Sequence, residues 1–340
     1  MKILVTGAQG YIGTSLVSTL AVRGHKVVGL DAGFYAEGCL YEIEAERPPE
    51  LRKDIRNVTE DDLRGLDAII HLAELSNDPL ARLDSRVTYD INHVGSVNLA
   101  RTCKRAGVPR FIYTSSCSVY GIGSGEYKTE VSELTPQTPY AYCKILVERD
   151  VTRLADDNFT PTFLRNATAY GPSARMRFDL VLNNLAGQAW TTGVIKMTSD
   201  GTPYRPLVHV LDICTAIACT VEAPRELVHR EVFNVGHTRE NYQVKELAEI
   251  VADTFPKCKV TLGSDEADRR SYRVSFDKIQ ARLPGFKIGH DAVGGIRELR
   301  GLFEQIGLTR EIFESRLFTR VRQLEYLLNT GQIDENFLWR

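Results

Sequence analysis

The chain has 340 residues, of which 43% are hydrophobic and 25% charged, proportions close to those of an average globular protein. Lys and Arg number 42 and Asp and Glu number 44, and the resulting formal charge of -2 argues against nucleic-acid binding, which needs clustered basic residues. The apolar content excludes a disordered chain, and no apolar run is long enough to span a membrane. We therefore predict a globular protein with no nucleic-acid partner and no membrane partner.

The 7 cysteines include no Cys-x-x-Cys pair, and the N-terminal apolar run is too short for a signal peptide. Both features are typical of a protein in a reduced, cytoplasmic setting. A chain of this length buries roughly three quarters of its unfolded surface, so it needs no disulfide or metal to stabilise its fold. We predict a cytoplasmic protein without a metal site.

Short apolar runs alternate with longer helical patterns in the first half of the chain. Strands are predicted over residues 3–6, 26–30, 68–72, 111–114 and 162–164, and helices over 10–23, 92–106 and 140–154. Such alternation is typical of βαβ units, and apolar, β-branched strands suit a parallel sheet that is buried on both faces. We predict an α/β fold of the Rossmann type, with a doubly wound parallel sheet in a first domain over residues 1–172.

The alternation becomes less regular after residue 172. Helices are predicted near 180–189 and 244–255, and extended segments at 194–198, 206–210, 233–235 and 259–262. We predict a smaller α/β lobe over residues 173–340, from which a strand and helix near 206–236 return to the first domain. Apolar residues at helical spacing over 312–329 predict a C-terminal docking helix.

A glycine-rich turn follows the first predicted strand and opens the first helix. It runs from Gly7 through Gly10, Tyr11 and Ile12 to Gly13. Gly7 allows the tight turn, Gly10 lets the backbone approach a pyrophosphate, and Gly13 lets the helix pack closely on the sheet. The helix N-terminus adds free N–H groups and a partial positive charge. This context predicts a dinucleotide site.

Asp31 ends the second predicted strand, 18 residues beyond the turn. From there its carboxylate can accept hydrogen bonds from the adenosine ribose. Because a carboxylate would repel a 2′-phosphate, we predict NAD rather than NADP as the cofactor. We interpret His71 as a packed strand residue. Further residues expected along the cofactor are Asp54, Ile55, Leu72 and Ala73.

Tyr140 and Lys144 stand four residues apart, which places both side chains on one face of a helix. A phenol with a pKa near ~10 is a poor base at neutral pH, but a neighbouring ammonium and the nicotinamide ring would lower that pKa. Lys144 would also hold the nicotinamide ribose. Ser116 would hydrogen-bond the reacting oxygen, so Ser116, Tyr140 and Lys144 are the predicted catalytic residues. Ser115 and Ser118 are further candidates, at the cofactor and the substrate respectively.

Together, the glycine turn, Asp31, the Ser-Ser-x-x-Val-Tyr-Gly strand end at 115–121 and the Tyr140/Lys144 pair resemble an extended short-chain dehydrogenase/reductase. More narrowly, the chain resembles the NAD-dependent nucleotide-sugar epimerase/dehydratase family. Three further segments occur in the family's order: Arg-x-x-x-His-Val-x-Asp at 205–212, Phe-Asn-Val-Gly at 233–236 and Asp268-Arg269-Arg270.

The resemblance implies a nucleoside-diphosphate sugar as substrate, bound mainly by the second lobe. It also implies a homodimer in which helices 92–106 and 140–154 form a four-helix bundle. Arg205 and Arg270, or the neighbouring Arg269, would contact the diphosphate through guanidinium forks. Asn92 would organise the cofactor and the active-site backbone. The other implied substrate contacts are Ser118, Thr168, Arg177 and Asp179.

At two positions this chain differs from some members of the family, and these differences limit the reactions that we expect. The 4,6-dehydratases carry an Asp-Glu pair directly after the serine or threonine, where this chain has Cys117 and Ser118. We therefore disfavour a dehydratase and interpret Cys117 as a packed residue. A 4-epimerase is predicted, in which Tyr140 removes the 4-OH proton while C4 gives its hydride to NAD and later takes it back. The alternatives are a 4-ketoreductase or sugar oxidoreductase and, from another class, a non-catalytic NAD(H)-binding sensor.

Overall fold

The computed structural model describes residues 1–43, 48–76, 84–264 and 270–340. Its strands are β1 (Lys2–Thr6), β2 (Lys26–Asp31), β3 (Glu50–Arg52), β4 (Ala68–His71), β5 (Arg110–Ser116), β6 (Ile122–Lys128), β7 (Thr160–Asn166), β8 (Thr168–Tyr170), β9 (Val194–Lys196), β10 (Tyr204–His209), β11 (Val232–Val235), β12 (Asn241–Gln243), β13 (Lys259–Thr261) and β14 (Ser271–Val274).

Seven of these strands form one sheet in the order β11-β7-β5-β4-β1-β2-β3, with every neighbouring pair parallel. Strand β1 lies between β4 and β2, so the winding direction of the chain reverses at that point. In open parallel sheets, ligands bind at this switch point, beyond the carboxyl ends of the strands. The predicted doubly wound fold is therefore confirmed.

The helices are α1 (Tyr11–Val22), α2 (Glu60–Leu63), α3 (Ser85–Tyr89), α4 (Ser96–Arg105), α5 (Pro139–Thr152), α6 (Val181–Thr192), α7 (Val210–Glu222), α8 (Arg225–Val228), α9 (Val244–Thr254), α10 (Asp277–Arg282), α11 (Ala292–Ile306), α12 (Arg310–Glu314) and α13 (Arg320–Asn329). A π-helical turn (Asp90–Gly95) joins α3 to α4. Within the described ranges, no helix is both long and apolar enough to cross a membrane.

Alternate residues of the strands serve the two faces of the central sheet. Ile3 and Val5 of β1 belong to an apolar cluster that includes side chains of α1 and α7. Leu4, between them, belongs to a second cluster with side chains of α4 and α5. Because successive strand residues point to opposite faces, a continuous apolar run is what a sheet covered by helices on both sides requires.

The second half of the chain forms a smaller lobe and also contributes to the central sheet. Strand β11 pairs in parallel with β7 at the sheet edge. Strands β8, β10 and β12 form a separate sheet, and α6, α9 and α11 share a third apolar cluster. The predicted boundary between residues 172 and 173 stays a prediction.

The predicted docking helix over 312–329 is wrong as one continuous helix. The structure has α12, a 3-10 turn (Arg316–Phe318) and then α13. Ser315 explains the break, because it ends α12 and its side chain accepts a hydrogen bond from Leu317 N, as an N-cap does. Strands β6 and β14 and helix α11 were not predicted.

Candidate active site

A cavity of about 480 Å³ opens at the carboxyl ends of the central strands. Of the predicted site residues that the structure describes, all but Asn92 line it. The predicted residues on its wall are Gly7, Gly10, Tyr11, Ile12, Gly13, Asp31, Asp54, Ile55, Leu72, Ala73, Ser115, Ser116, Ser118, Tyr140, Lys144, Thr168, Arg177, Asp179, Arg205 and Arg270. The fold therefore gathers side chains that are separated by up to 263 positions in the sequence (270 minus 7).

The glycine turn is held tightly against the sheet. Gly7 has a φ of +71°, and a Cβ there would lie 2.9 Å from Ala73 N. At Gly13 a Cβ would lie 2.1 Å from Gly7 O, so a side chain would push the helix away from the turn. The side chain of Thr6 accepts hydrogen bonds from the N–H groups of Leu72 and Ala73, each at 3.2 Å. These contacts fix the two strand ends on which a diphosphate would lie.

One end of the cavity carries the acidic residue of β2. The Asp31 carboxylate accepts hydrogen bonds from Gln9 N at 3.0 Å and Gly33 N at 2.8 Å. Burial raises the pKa of this carboxyl above its usual range, although both hydrogen bonds act in the opposite direction. Asp54, nearby on the wall, already pairs with Arg56 at 2.8 Å.

The other end carries the predicted catalytic side chains. Lys144 Nζ lies 5.3 Å from the centre of the Tyr140 ring and donates to Thr114 O at 2.5 Å. Ser116 Oγ accepts from Ser118 N at 3.1 Å and thus has its own hydrogen available for a ligand. Helix α5 supplies the tyrosine and the lysine, and Thr138 caps its N-terminus by accepting from Ala141 N at 3.3 Å.

A glutamate that the sequence analysis did not single out lies beside the lysine. Glu74, on the loop after β4, forms an ion pair with Lys144, and their side chains are only 2% and 4% exposed. Tyr113 donates to the other carboxylate oxygen of Glu74 at 2.5 Å. Burial lowers the pKa of Lys144, but the Glu74 carboxylate, together with Tyr140 and Glu148, outweighs burial, and the net pKa is raised. Glu74 thus holds the ammonium charged and in place.

Besides Glu74 Oε2, which is ion-paired with Lys144, two buried polar atoms of the cavity wall have no hydrogen-bond partner among the described residues, Ser118 Oγ and Asn166 Oδ1. The sequence analysis did not single out Asn166, although it lies only two residues before Thr168. Buried polar groups are normally hydrogen-bonded, so these two atoms are suited to contact a polar ligand.

The second lobe adds basic side chains to the wall. Arg205 of β10 donates to the carbonyl oxygens of Tyr204, at 2.9 Å, and of Arg270. The second hydrogen bond brings together Arg205 and Arg270, the two residues predicted to contact the diphosphate. Arg269 and Asp268 lie outside the described residues.

Arg177 and Asp179 form a bidentate ion pair on the wall, with N–O distances of 2.9 and 3.0 Å. Arg177 Nη1 also donates to Ser76 Oγ at 3.1 Å. Arg177 therefore contacts the loop after β4, on the side of the cavity where the glycine turn lies. Its charge is paired there with the carboxylate of Asp179.

Asn92 lies beneath the cavity wall, fully buried in the π-helical turn. Its amide accepts from Leu75 N at 2.8 Å and donates to Leu75 O at 3.1 Å. Because Leu75 lines the cavity, Asn92 braces the wall from behind. Asn92 itself does not line the cavity, so its predicted effect on the cofactor would act through Leu75.

Cys117 is 1% exposed and its thiol donates to Arg165 O at 3.1 Å. Burial raises the pKa of this thiol well above its ordinary value. A buried, protonated thiol that packs against the backbone agrees with the interpretation of Cys117 as a packed residue.

His71 is 1% exposed, with Thr6 Oγ1 at 2.7 Å from Nδ1 and Ser96 Oγ at 2.8 Å from Nε2. Burial, with a smaller effect of Lys144, lowers its pKa to about 3. In the unfolded chain the pKa is about 6.5, so the unfolded state takes up the proton first. Neutral His71 therefore makes its full contribution to the free energy of unfolding above about pH 6.5. That contribution is lost as the pH falls towards 3.

We expect the free energy of unfolding to fall by up to about 1.4 kcal/mol per pH unit in that window because of His71. Urea unfolding between pH 7 and pH 4 measures this slope. The slope should be shallower in His71→Asn and unchanged in His237→Asn, a control outside the cavity. Equal slopes in wild type and His71→Asn would contradict the expectation.

A doubly wound parallel sheet with a glycine turn after β1, an acidic residue at the end of β2 and a Ser/Tyr/Lys set beside the switch point defines an extended short-chain dehydrogenase/reductase. Comparison with known proteins refines this class. The chain belongs to the NAD dependent epimerase/dehydratase family, whose model matches residues 3–236.

One curated relative and two solved structures are similar to this chain. UDP-glucose 4-epimerase of Mycolicibacterium smegmatis is 32% identical over 252 residues, which cover 69% of this chain and 77% of the relative. MoeE5, solved with UDP-glucuronic acid and NAD, has a TM-score of 0.78 at 26% identity over 90% of this chain and 99% of its own. DesIV of Streptomyces venezuelae, a dTDP-glucose 4,6-dehydratase, has a TM-score of 0.79 at 24% identity over 92% and 100%.

The cofactor of this family is NAD, and the residues on the cavity wall fit it. Gly7, Gly10 and Gly13 let the turn pack closely against the backbone around it, and all three line the cavity at the N-terminus of α1, where backbone N–H groups suit a diphosphate. Asp31 lies on the wall where ribose hydroxyls would be held, and Lys144 lies on the wall at the catalytic end.

Proposed function

We propose that the protein is a 4-epimerase that acts on a nucleoside-diphosphate sugar. The observation that carries this proposal is the meeting of Ser116, Tyr140 and Lys144 in one cavity, while the position after Ser116 holds a buried cysteine. With NAD as the hydride acceptor and donor, one base and one hydroxyl are enough to oxidise and re-reduce a carbinol. The dehydratase acid–base pair is replaced by Cys117 and Ser118.

Tyr140 is the proposed base for the 4-OH proton. For this it must lose its own proton near neutral pH, and the Lys144 ammonium, 5.3 Å from the ring centre, favours the phenolate. Ser116 donates a hydrogen bond to the same sugar oxygen, which orients it towards the tyrosine. On the return step the same phenol gives the proton back, so the residues end each cycle as they began.

When bound, NAD supplies reversible hydride acceptance, which allows inversion at a carbon without net oxidation. The chain's own residues position the two reactants. Asp31 and Lys144 would hold the two riboses of the cofactor, and the glycine turn would hold its diphosphate.

The proposed sugar-nucleotide lies towards the second lobe. Arg205 and Arg270 suit its diphosphate, because guanidinium groups bind phosphate oxygens in a bidentate manner. Ser118 Oγ and Asn166 Oδ1 can accept hydrogen bonds from sugar hydroxyls, and Thr168 lies on the same wall. Relatives that carry UDP-sugar names support this class of substrate.

The test is to incubate the purified protein with UDP-, dTDP-, GDP- and CDP-hexoses and to follow the configuration at C4 by NMR. We expect one nucleotide series to equilibrate between its two C4 epimers without added NADH. A substrate labelled with deuterium at C4 should keep the label in the product, because the label never exchanges with water.

Other outcomes identify the alternatives. A 4-ketoreductase would instead consume NADH or NADPH stoichiometrically with a 4-keto substrate. Release of water with formation of a 4-keto-6-deoxy sugar would show a dehydratase. Only an epimerase would invert C4 without consuming NADH or NADPH and without releasing water. A homodimer with α4 and α5 in a four-helix bundle remains part of the same proposal.

A further inference from the structure

The cavity wall includes one buried basic side chain that the proposed reaction does not use. Arg320, the first residue of α13, is 3% exposed and lines the cavity. Its Cζ lies 4.0 Å from the centre of the Tyr35 ring, so the guanidinium stacks on the aromatic face. Within the described ranges it forms neither a hydrogen bond nor an ion pair. Buried arginines are normally paired, so this group is suited to an anionic ligand.

The surroundings of Arg320 place it on the cofactor side of the cavity. Burial lowers its pKa to about 10, and the like charge of Arg177 adds to this, while Tyr35, Asp179 and Asp31 act in the opposite direction. Arg320 and Arg177 line the same cavity as Asp31 and Tyr140, the residues predicted at the two riboses of a dinucleotide.

The rest of the C-terminal segment, residues 320–340, packs against the loop after β2. Trp339 Nε1 donates to Ala32 O at 2.6 Å, and Gln323 Nε2 donates to Phe34 O at 3.1 Å. The Trp339 ring lies 5.8 Å from the ring of Phe34. This segment thus walls the end of the cavity where Asp31 lies, although it falls outside the part of the chain matched by the family model.

We propose that Arg320 binds the diphosphate of NAD, so that the C-terminal segment forms part of the cofactor site. The dinucleotide brings two negative charges between Asp31 and Tyr140, and a guanidinium fork is the donor best matched to phosphate oxygens. Arg177 already forms an ion pair with Asp179, whereas Arg320 forms no ion pair with another described residue.

The test compares Arg320→Met, which keeps the bulk of the side chain and removes its charge, with Arg322→Met, an exposed arginine on the same helix. Calorimetry on full-length protein stripped of cofactor measures binding of NAD, ADP-ribose, adenosine and UDP. We expect Arg320→Met to weaken NAD and ADP-ribose by roughly 10- to 100-fold, the size of a lost charge-assisted hydrogen bond. Adenosine and UDP should change by less than about threefold, and Arg322→Met should bind all four as wild type does.

A thermal measurement gives a second readout that does not depend on turnover. Without ligand, Arg320→Met should melt at least as high as wild type, because an unpaired buried charge has been replaced by an apolar side chain. With saturating NAD its stabilisation should be smaller than that of wild type. Equal losses for adenosine and ADP-ribose would make Arg320 a wall residue only. A selective loss of UDP would assign it to the substrate, and unchanged binding of all four would overturn the proposal outright.

Discussion

Tyr140→Phe is expected to lower kcat by roughly 10²- to 10⁴-fold, the contribution typical of a positioned general base. Phenylalanine keeps the ring that lies 5.3 Å from the Lys144 ammonium and removes only the oxygen that carries the proton. The cofactor should remain bound, since Asp31, the glycine turn and Lys144 are untouched. For this variant we therefore expect the wild-type NAD content by mass spectrometry but much slower C4 inversion by NMR.

The matched control is Tyr142→Phe, two residues along the same helix. Tyr142 is 48% exposed and does not line the cavity. It should keep kcat within about twofold of wild type, as surface changes usually do. Equal activity of both variants would remove Tyr140 from the mechanism, and equal loss of NAD from both would show a structural defect instead.

Glu74→Gln is expected to lower the free energy of unfolding by about 3 kcal/mol, because it leaves the buried Lys144 ammonium without its counter-ion. The amide retains an oxygen that can accept from Tyr113, so the change isolates the charge from the hydrogen bond. Urea unfolding measures the stability, and Glu133→Gln, at an exposed position, is the control.

The same substitution should move the acid limb of the pH–rate profile. With the carboxylate gone, the Lys144 charge acts on Tyr140 without compensation and favours the phenolate more strongly. The enzyme should then remain active at lower pH than wild type does. A stability loss with an unchanged acid limb would leave Glu74 with a purely structural role.

The part of the fold that the sequence predicts best is the part with the strongest local pattern. The core strands β1, β2, β4, β5 and β7 are apolar runs buried on both faces, and the glycine turn has fixed spacing. Strand β6 has the sequence IGSGEYK, whose two glycines and charges hide it from any apolar pattern. Helix α11 begins AVGG, and paired glycines lower helix propensity in the very turn where a helix would be recognised.

The residues of the candidate site also differ in how far a local sequence pattern predicts them. Tyr140 and Lys144 are found because four residues make one helical turn. Glu74 and Arg320 carry no such spacing, and each becomes informative only through a contact made in three dimensions. Glu74 meets an ammonium 70 positions further along the chain (144 minus 74), and Arg320 meets the ring of Tyr35. Single charged residues on a loop or a helix look like solvated surface until burial is known.

The hydrogen bond from Trp339 to Ala32 joins residues 307 positions apart in the chain. Its consequence concerns the order of events during synthesis. The glycine turn and Asp31 leave the ribosome well before Trp339 does. A growing chain therefore lacks this wall of the cavity until the residues around Trp339 have emerged and packed against the loop after β2.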